Sequence, residues 1–469
     1  MADLLSILSS GAASLAAQRA AAATASHNLQ NANTPGYARQ RAVLATTLPA
    51  EQAGGAWIGR GASLAQVTQA RDRFLEQQLP AALGQSARSA AAASVLEAVQ
   101  VLDPEAEGGP GDALGGLHAA LTQLSQAPSD PGLRQAAVAA ARTLALSFNR
   151  ARQGLEDARA GADARIAGDL SEANDLAAQV AALNRDVRAA RASGAGEPND
   201  LLDARQRAAD RLSALTGAVP AATSEGDLSL LLPGGAALVA GLGASTLLAH
   251  PGPDGHLGVR LATGTVSADV APGGELGGLL DASGGPLKAA VTGLDQLAWA
   301  VGNQLDAAHR AGFGLDGSTG LDLFDVGTTP AGAARRIAVS AAVAADPARL
   351  ATATAAGQPG DGGNVLALLA TTTARIATGQ GADLLAGLDA TGALSRITGA
   401  FGAAARGLAA AAAQDAGLAD HLSALRESAS GVSVDEELLE MERAQRAYEA
   451  ISKVIQATSE MFDTLLKLE

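Results

Sequence analysis

The chain has 469 residues, 48% of them hydrophobic and only 2% aromatic, with a formal net charge of −15 and no cysteine. That length suggests about three domains, and that apolar fraction excludes wholesale disorder. Acidity without a basic block excludes nucleic-acid binding as a main role and disfavours anionic membranes, while the lack of cysteine excludes disulfides and thiolate metal sites.

The first predicted element is a helix over residues 4–32. Leu4, Leu8, Gly11, Leu15, Gln18, Ala22, Ala25, Leu29 and Ala32 recur at alternating steps of four and three, which lines one side of a helix with a coiled-coil seam. With so few aromatic residues, tight approach must come from small side chains such as Gly11, Ala22 and Ala25. The segment is apolar enough to resemble a signal peptide. Asp3 stands where a basic region is needed, however, and the heptad continues to Ala32, so no cleavage is expected. No run of about eighteen apolar residues is present to cross a bilayer.

Asn31-Ala32-Asn33-Thr34-Pro35-Gly36-Tyr37 stops this helix, with Pro35 and Gly36 at the centre of a type II turn. An extended stretch, Ala38 to Thr47, follows, then a loop around Trp57 and a helix over 64–102 ended by Asp103-Pro104. Helices are predicted over 112–126 and 131–158, divided by Pro128 and Pro131. A further helix spans 163–192, where Ile166, Leu170, Ala173, Ala177, Val180, Asn184 and Val187 form another seam. Asn184 is polar within it, a placement that can fix register. After a break at Gly194 to Pro198, Asn199 or Asp200 caps a helix to about Leu215.

Residues 218–272 lose helical periodicity and gain Gly, Pro, Ser and Thr, which predicts a small β-rich insert. Helix resumes near Glu275 and from Pro286 to Ala311. A glycine-rich loop at 312–320, a strand-like patch around Arg336 to Val343, and helices over 364–378 and 393–427 follow. Ser430-Gly431-Val432 breaks the chain before the last helix. Ser433 and Glu436 form a capping box there, with Asp435 and Glu437 in the first turn, and the helix runs to about Lys467. It carries a second seam: Met441, Ala444, Tyr448, Ile451, Ile455, Thr458, Phe462 and Leu465.

Signals for chemistry are poor. Gly312-x-Gly314-x-x-Gly317 fits a dinucleotide loop, but a helix precedes it where a strand is required. Asp316, Ser318 and Asp322 hint at a calcium loop that places Gly327 where a bidentate Glu is needed. His250 and His256 flank a turn as surface residues, and His27 lies on the first helix. No catalytic, cofactor or metal residue is assigned, and no enzyme is expected.

Residues Ala25-Ser26-His27-Asn28-Leu29-Gln30-Asn31 through Tyr37-Ala38-Arg39-Gln40-Arg41 resemble the N-terminal signature of flagellar rod, hook and hook-associated proteins. The form N-A-N-T-P-G-Y-x-R-Q is similar to the family of the first hook-associated protein, whereas rod and hook proteins usually carry Lys soon after the Tyr. Asn199-Asp200-Leu201-Leu202-Asp203-Ala204-Arg205 resembles that family's N-D-L-L-D-x-R helix. Gly273-Gly274-Glu275-Leu276-Gly277-Gly278-Leu279-Leu280-Asp281 resembles its G-G-x-L-G-G-L-L-D segment, and Ser430 through Leu466 its C-terminal helix. Departures are Asp306 in Leu305-Asp306-Ala307-Ala308-His309, where the family has V-N-x-x-H, Ala282-Ser283 where an Arg commonly follows, and a short β insert.

The resemblance implies a mainly α-helical chain with a small β-rich insert. Its terminal coiled-coil helices pack together (1–33 with 433–469), a long helical-bundle domain lies outside them (34–217 with 273–432), and a β domain is outermost (218–272). It implies a hook–filament junction component of the bacterial flagellum, exported without signal cleavage by the flagellar type III apparatus. The partners implied are copies of itself, the hook protein, the second hook-associated protein on the filament side, and a cytoplasmic chaperone on the C-terminal helix. Neither terminal helix has an obvious partner elsewhere in the sequence, so the ends are expected to fold on docking into the growing structure. The expected assembly interface comprises Leu4, Leu8, Leu15 and Leu29, then Asn33, Pro35, Gly36, Tyr37 and Arg39, then Met441, Tyr448, Ile451, Ile455, Phe462 and Leu465. Tyr37 would pack there, with Arg39 and Arg41 pairing to acidic neighbours. A rod or hook protein, or a non-exported coiled-coil scaffold, is the alternative.

Overall fold

The computed structural model describes residues 2–51, 57–99, 108–194, 196–223, 226–252, 256–377 and 382–466. Helix α1 (Ala2–Gln30) leads into a ribbon of β1 (Gln40–Thr46) and β4 (Ala62–Gln69), with the short β2 (Ala50–Glu51) and β3 (Trp57–Ile58) paired beyond it. The β1–β4 register runs from Gln40 opposite Gln69 to Thr46 opposite Ala62. Residues 64–69 are thus strand, against the helix predicted there. Val67 and Thr68 are β-branched, and the partner strand decides a segment with weak periodicity of its own.

Helix α2 (Arg73–Glu97) starts where the Asp72 carboxylate accepts the Phe74 amide at 2.8 Å, and α3 (Pro110–Gln126) follows. Helix α4 (Pro131–Ala192) is continuous for 62 residues, about 93 Å at 1.5 Å per residue. The predicted interruption near residue 160 is missing. Gly161 is exposed with open space around it and no proline is near, so the helix passes through. Helix α5 (Asn199–Thr216) ends at Gly217, whose φ of 66° closes the C-terminus.

The predicted insert is all antiparallel. β5 (Val219–Ala222), β6 (Leu228–Leu231), β7 (Ala237–Ala240) and β8 (Gly243–Ala244) form one sheet in sequence order. β9 (Thr246–Pro251), β10 (Leu257–Thr263) and β11 (Val266–Val270) form the other. Leu230, Leu238, Leu247 and Val259 turn inward and join the apolar cluster of the helical body.

Helix α6 (Gly274–Ala282) runs into α7 (Lys288–Ala311) through a π-helical turn at Ser283–Leu287, which accommodates Pro286 without a break. At Gly278 a Cβ would overlap the Arg88 carbonyl. The G-G-x-L-G-G-L-L-D segment is therefore a helix-packing device, locked on its exposed side by Arg88 and Asp281 at 2.6 Å. Beyond α7 come β12 (Phe324–Asp325), α8 (Ala333–Arg336), β13 (Ala338–Val339), α9 (Ala341–Ala345) and α10 (Gly363–Thr372). The predicted strand patch shrinks to Ala338–Val339, flanked by short helices. Helices α11 (Ala390–Ser430) and α12 (Val434–Leu466) complete the chain.

One large apolar cluster holds α2–α7, α10, the first part of α11 and the insert, with Leu144, Phe148, Leu155, Ile166 and Leu294 fully buried. A second joins α2 to α11 through Leu75, Leu79, Ala82, Ala419 and Leu422. The two ends of the chain pair with each other: α1 packs along α12, and the β1–β4 ribbon lies on another side of α1. Gly11 permits the approach, since a Cβ there would stand 2.8 Å from Ile455 Cγ1. This bears out the expected packing together of the two terminal helices, and gives each the partner that was not obvious from its sequence.

Candidate functional site

The end of α1 folds as its sequence dictates. The Tyr37 amide donates to the Thr34 carbonyl at 3.1 Å, and Gly36 has φ 72°, as the second central residue of a type II turn requires. A side chain at Gly36 would also meet Arg207 Cγ at 2.8 Å. The turn sends Tyr37 back onto α1. Its ring meets that of His27 edge-on, 5.7 Å between centroids, and its hydroxyl donates to Asn28 Oδ1 at 2.8 Å. Burial, with Asp200, Asp203 and Glu437 nearby, pushes the Tyr37 pKa well up, so the hydroxyl stays a neutral donor. Asn33 and Pro35 are exposed.

Asn28 is fully buried, and all its hydrogen-bonding capacity is used. Nδ2 donates to the Gln40 carbonyl at 2.8 Å and to Glu437 Oε2 at 2.9 Å; Oδ1 accepts the Tyr37 hydroxyl and, at 2.9 Å, the Gln40 amide. Arg39 closes the same node from outside, with Nε 2.5 Å from Glu437 Oε1 and Nη1 2.6 Å from Glu436 Oε2. Within the single chain the acidic partners of Arg39 are thus Glu436 and Glu437, and Arg41 is exposed. Glu436, predicted to close a capping box on Ser433, is bound to Arg39.

The N-D-L-L-D segment supplies the other half of the node. Asp200 Oδ1 accepts Gln40 Nε2 at 2.9 Å and lies 3.1 Å from His27 Nε2. Gln69 Nε2 donates to the Asn199 carbonyl and to Asp203 Oδ1, both at 2.9 Å. Asp203 also takes Arg71 Nη2 at 2.6 Å and the Ala38 amide at 3.3 Å. Burial nevertheless holds the Asp203 pKa above the usual carboxylate range, the Arg71 charge and these hydrogen bonds opposing it. Arg205 reaches Asn184 Oδ1 at 2.9 Å, and Asn184 Nδ2 donates to the Leu228 and Gly241 carbonyls of the insert. Asn184 is therefore a pin for the insert, in place of the register-fixing role predicted for it in a coiled coil.

The two predicted seams face each other. Leu8, Leu15, Leu29, Met441, Ile451, Ile455 and Phe462 are half-buried, and Tyr448 is exposed. The side chains of Leu4 and Leu465 lie outside the described residues. One copy of the chain leaves Leu438, Leu439, Val454 and Met461 of α12 exposed, with Ile7 of α1. The sequence assigns no role to Asn28, Gln40, Gln69 or Asp203, and only helix-end roles to Asp200 and Glu437, although all but Gln69 stand within the segments that carry the resemblance.

The glycine-rich loop after α7 binds itself: the Gly314 amide donates to the Ser318 carbonyl at 2.8 Å and the Ser318 amide to Asp316 Oδ1 at 2.9 Å. Among the described residues no group of three His, Cys, Asp or Glu could hold a metal, and no helix is long and apolar enough to cross a membrane. His250 lies 3.3 Å from Asp269 on the exposed face of the insert.

The chain is similar to known flagellar proteins. Residues 97–324 match the family described as the flagellar hook-associated protein FlgK helical domain, and residues 426–468 match the flagellar basal body rod FlgEFG protein C-terminal family. Flagellar hook-associated protein 1 of Salmonella typhimurium is 30% identical over 335 residues, 69% of this chain. The chain spans 60% of that relative's length. The Bacillus subtilis protein of the same name is 26% identical over 494 residues, 96% of each chain. The solved flagellar hook junction protein FlgK from Burkholderia pseudomallei has the same fold, with a TM-score of 0.67 at 18% identity over 76% of this chain and 100% of that one. These matches fall on the helical body and on the terminal helix that the Asn28 node holds, and together they support a FlgK-family hook-associated protein.

Proposed function

We propose that this chain is a structural component of the bacterial flagellum that joins hook to filament by axial self-assembly of its terminal helices. The observation that carries this reading is the Asn28–Glu437 node. It makes α1, the Thr34–Tyr37 turn and α12 one unit, and that unit leaves Leu439, Val454 and Met461 exposed along one side of α12 in the single chain. An exposed apolar row of this kind fits an interaction surface. Residues 1–33 with 433–469 then form the assembly domain, 34–217 with 273–432 the lateral helical domain, and 218–272 the outer insert.

The assembly residues on this reading are the seam leucines Leu4, Leu8, Leu15 and Leu29, the turn residues Asn33 to Tyr37 with Arg39, and Met441, Tyr448, Ile451, Ile455, Phe462 and Leu465. Its partners are other copies, the hook protein and the second hook-associated protein. A cytoplasmic chaperone receives the C-terminal helix before export without signal cleavage, and the role involves no catalysis. Removing 433–469 should leave a soluble protein that caps no hook, with filament subunits lost to the medium. Normal filaments on cells expressing only that truncation would refute it.

A further inference from the structure

The terminal unit (α1, the β1–β4 ribbon and α12) meets the helical body in an unusual way. Neither of the two apolar clusters takes in any residue of α1, β1, β4 or α12 among the described residues. The chain passes between the two parts twice, at residues 70–72 and at 431–433. Both passages are tied to one backbone position. The Arg39 amide donates to the Ser430 carbonyl at 2.8 Å, and the Arg39 carbonyl accepts the Ala70 amide at 2.8 Å.

Beside that point, the residues that close the ribbon, Gln40 and Gln69, reach across to the first turn of α5. Gln40 Nε2 donates to Asp200, and Gln69 Nε2 donates to Asp203 and to the Asn199 carbonyl. The His27–Asp200 and Arg71–Asp203 pairs lie alongside. Apolar interlocking resists sliding because separation leaves a void. Hydrogen bonds fix an orientation without interlocking volume, so giving them up opens no void.

We infer that terminal unit and body form an articulated pair, hinged on the Arg39 backbone and held in one orientation by Gln40 and Gln69 acting as a catch. A hinge at a few element-terminal residues is an ordinary way for two rigid parts to reorient. Gln40 and Gln69 are positioning residues: their side chains set the angle between the parts, while the Gln40 backbone alone serves the Asn28 node.

The absence of cysteine permits a clean test by spin labelling of the full chain. One label pair, Ala164→Cys with Ala450→Cys, spans body and terminal unit. A control pair, Ala16→Cys with Ala450→Cys, lies within the terminal unit. In the otherwise unchanged chain both distance distributions should be narrow. Adding Gln40→Ala with Gln69→Ala should broaden the spanning distribution about twofold, leave the control narrow and leave the melting of the body unchanged. A spanning distribution of unchanged width would overturn the inference, because packing would then set the angle. So would a control pair that is broad before or after the substitution, because the terminal unit would not be a rigid part. Neither outcome bears on whether the chain joins hook to filament, which the truncation tests separately.

Discussion

Asn28 donates Nδ2 to Glu437 Oε2 at 2.9 Å across 409 positions of sequence, and this single hydrogen bond joins the last turn of α1 to the first turn of α12. With the Tyr37 hydroxyl and the Gln40 backbone on the same amide, no other residue of similar size offers two donors and an acceptor so placed. Asn28→Leu keeps the volume and leaves Glu437 Oε2, the Tyr37 hydroxyl and the Gln40 amide and carbonyl without the partner that Asn28 supplies. The expected loss is about 2–4 kcal/mol in the stability of the terminal unit. It would be read as lost amide-exchange protection in the first turns of α12, with the body unaffected. Unchanged protection there would show that the node does not hold the helix.

Close approach at Gly278 and open space at Gly161 make opposite forecasts for one substitution. Gly278→Ala forces a Cβ into the Arg88 carbonyl and should cost about 2 kcal/mol or more as α6 moves off α2. Gly161→Ala sits on an exposed face of α4 and should stabilise by about 0.5–1 kcal/mol. Denaturant titration of both variants distinguishes them, and equal midpoints would contradict the packing described.

Asp306 accepts the Leu323 and Phe324 amides, both at 2.8 Å, and burial pushes its pKa up to about 6. The native state therefore holds the Asp306 proton more tightly than the unfolded chain does. Its contribution favours folding below about pH 4 and declines as pH rises through about 6. Asp169, also pushed up to about 6 by burial, acts in the same window and direction. Asp306→Asn keeps the acceptor and removes the charge, so stability at pH 7.5 should rise by up to about 2 kcal/mol and the slope between pH 4 and 6 should flatten. Melting curves at pH 4, 6 and 7.5 provide the check, and an unaltered slope would contradict it.

Asn184 is the pin between α4 and the insert, so Asn184→Leu should free the Leu228 and Gly241 carbonyls and the Arg205 guanidinium together. A loss of about 2 kcal/mol is expected, seen as earlier exchange in β6 and β7 with α4 intact. Equal exchange in both elements would instead mean that the insert unfolds only with the body.

What could be read in advance was local. The seams of α1 and α12, the type II turn at Pro35-Gly36 and the β character of 218–272 follow from periodicity and turn chemistry within a few residues. The strand at 62–69 could not be read that way, since its conformation is settled by pairing with β1, 16 to 29 positions earlier. Nor could the continuity of α4, because a glycine in a helical pattern is only a weak breaker. The node was hidden for a different reason. Asn28 stands beside the predicted seam, and its meaning depends on Glu437 and Gln40, which only the tertiary fold brings to it. The resemblance marked the correct segments without saying which of their atoms touch.

The most direct test of the central claim uses Gly11 and Ile455, which are close enough for a disulfide between introduced cysteines. The double variant Gly11→Cys with Ile455→Cys, oxidised in sheared flagella, should yield a linked peptide joining positions 11 and 455 from the monomer band, on cells with normal filaments. A link found only between two copies, or no link at all, would contradict the pairing of the two ends within one chain.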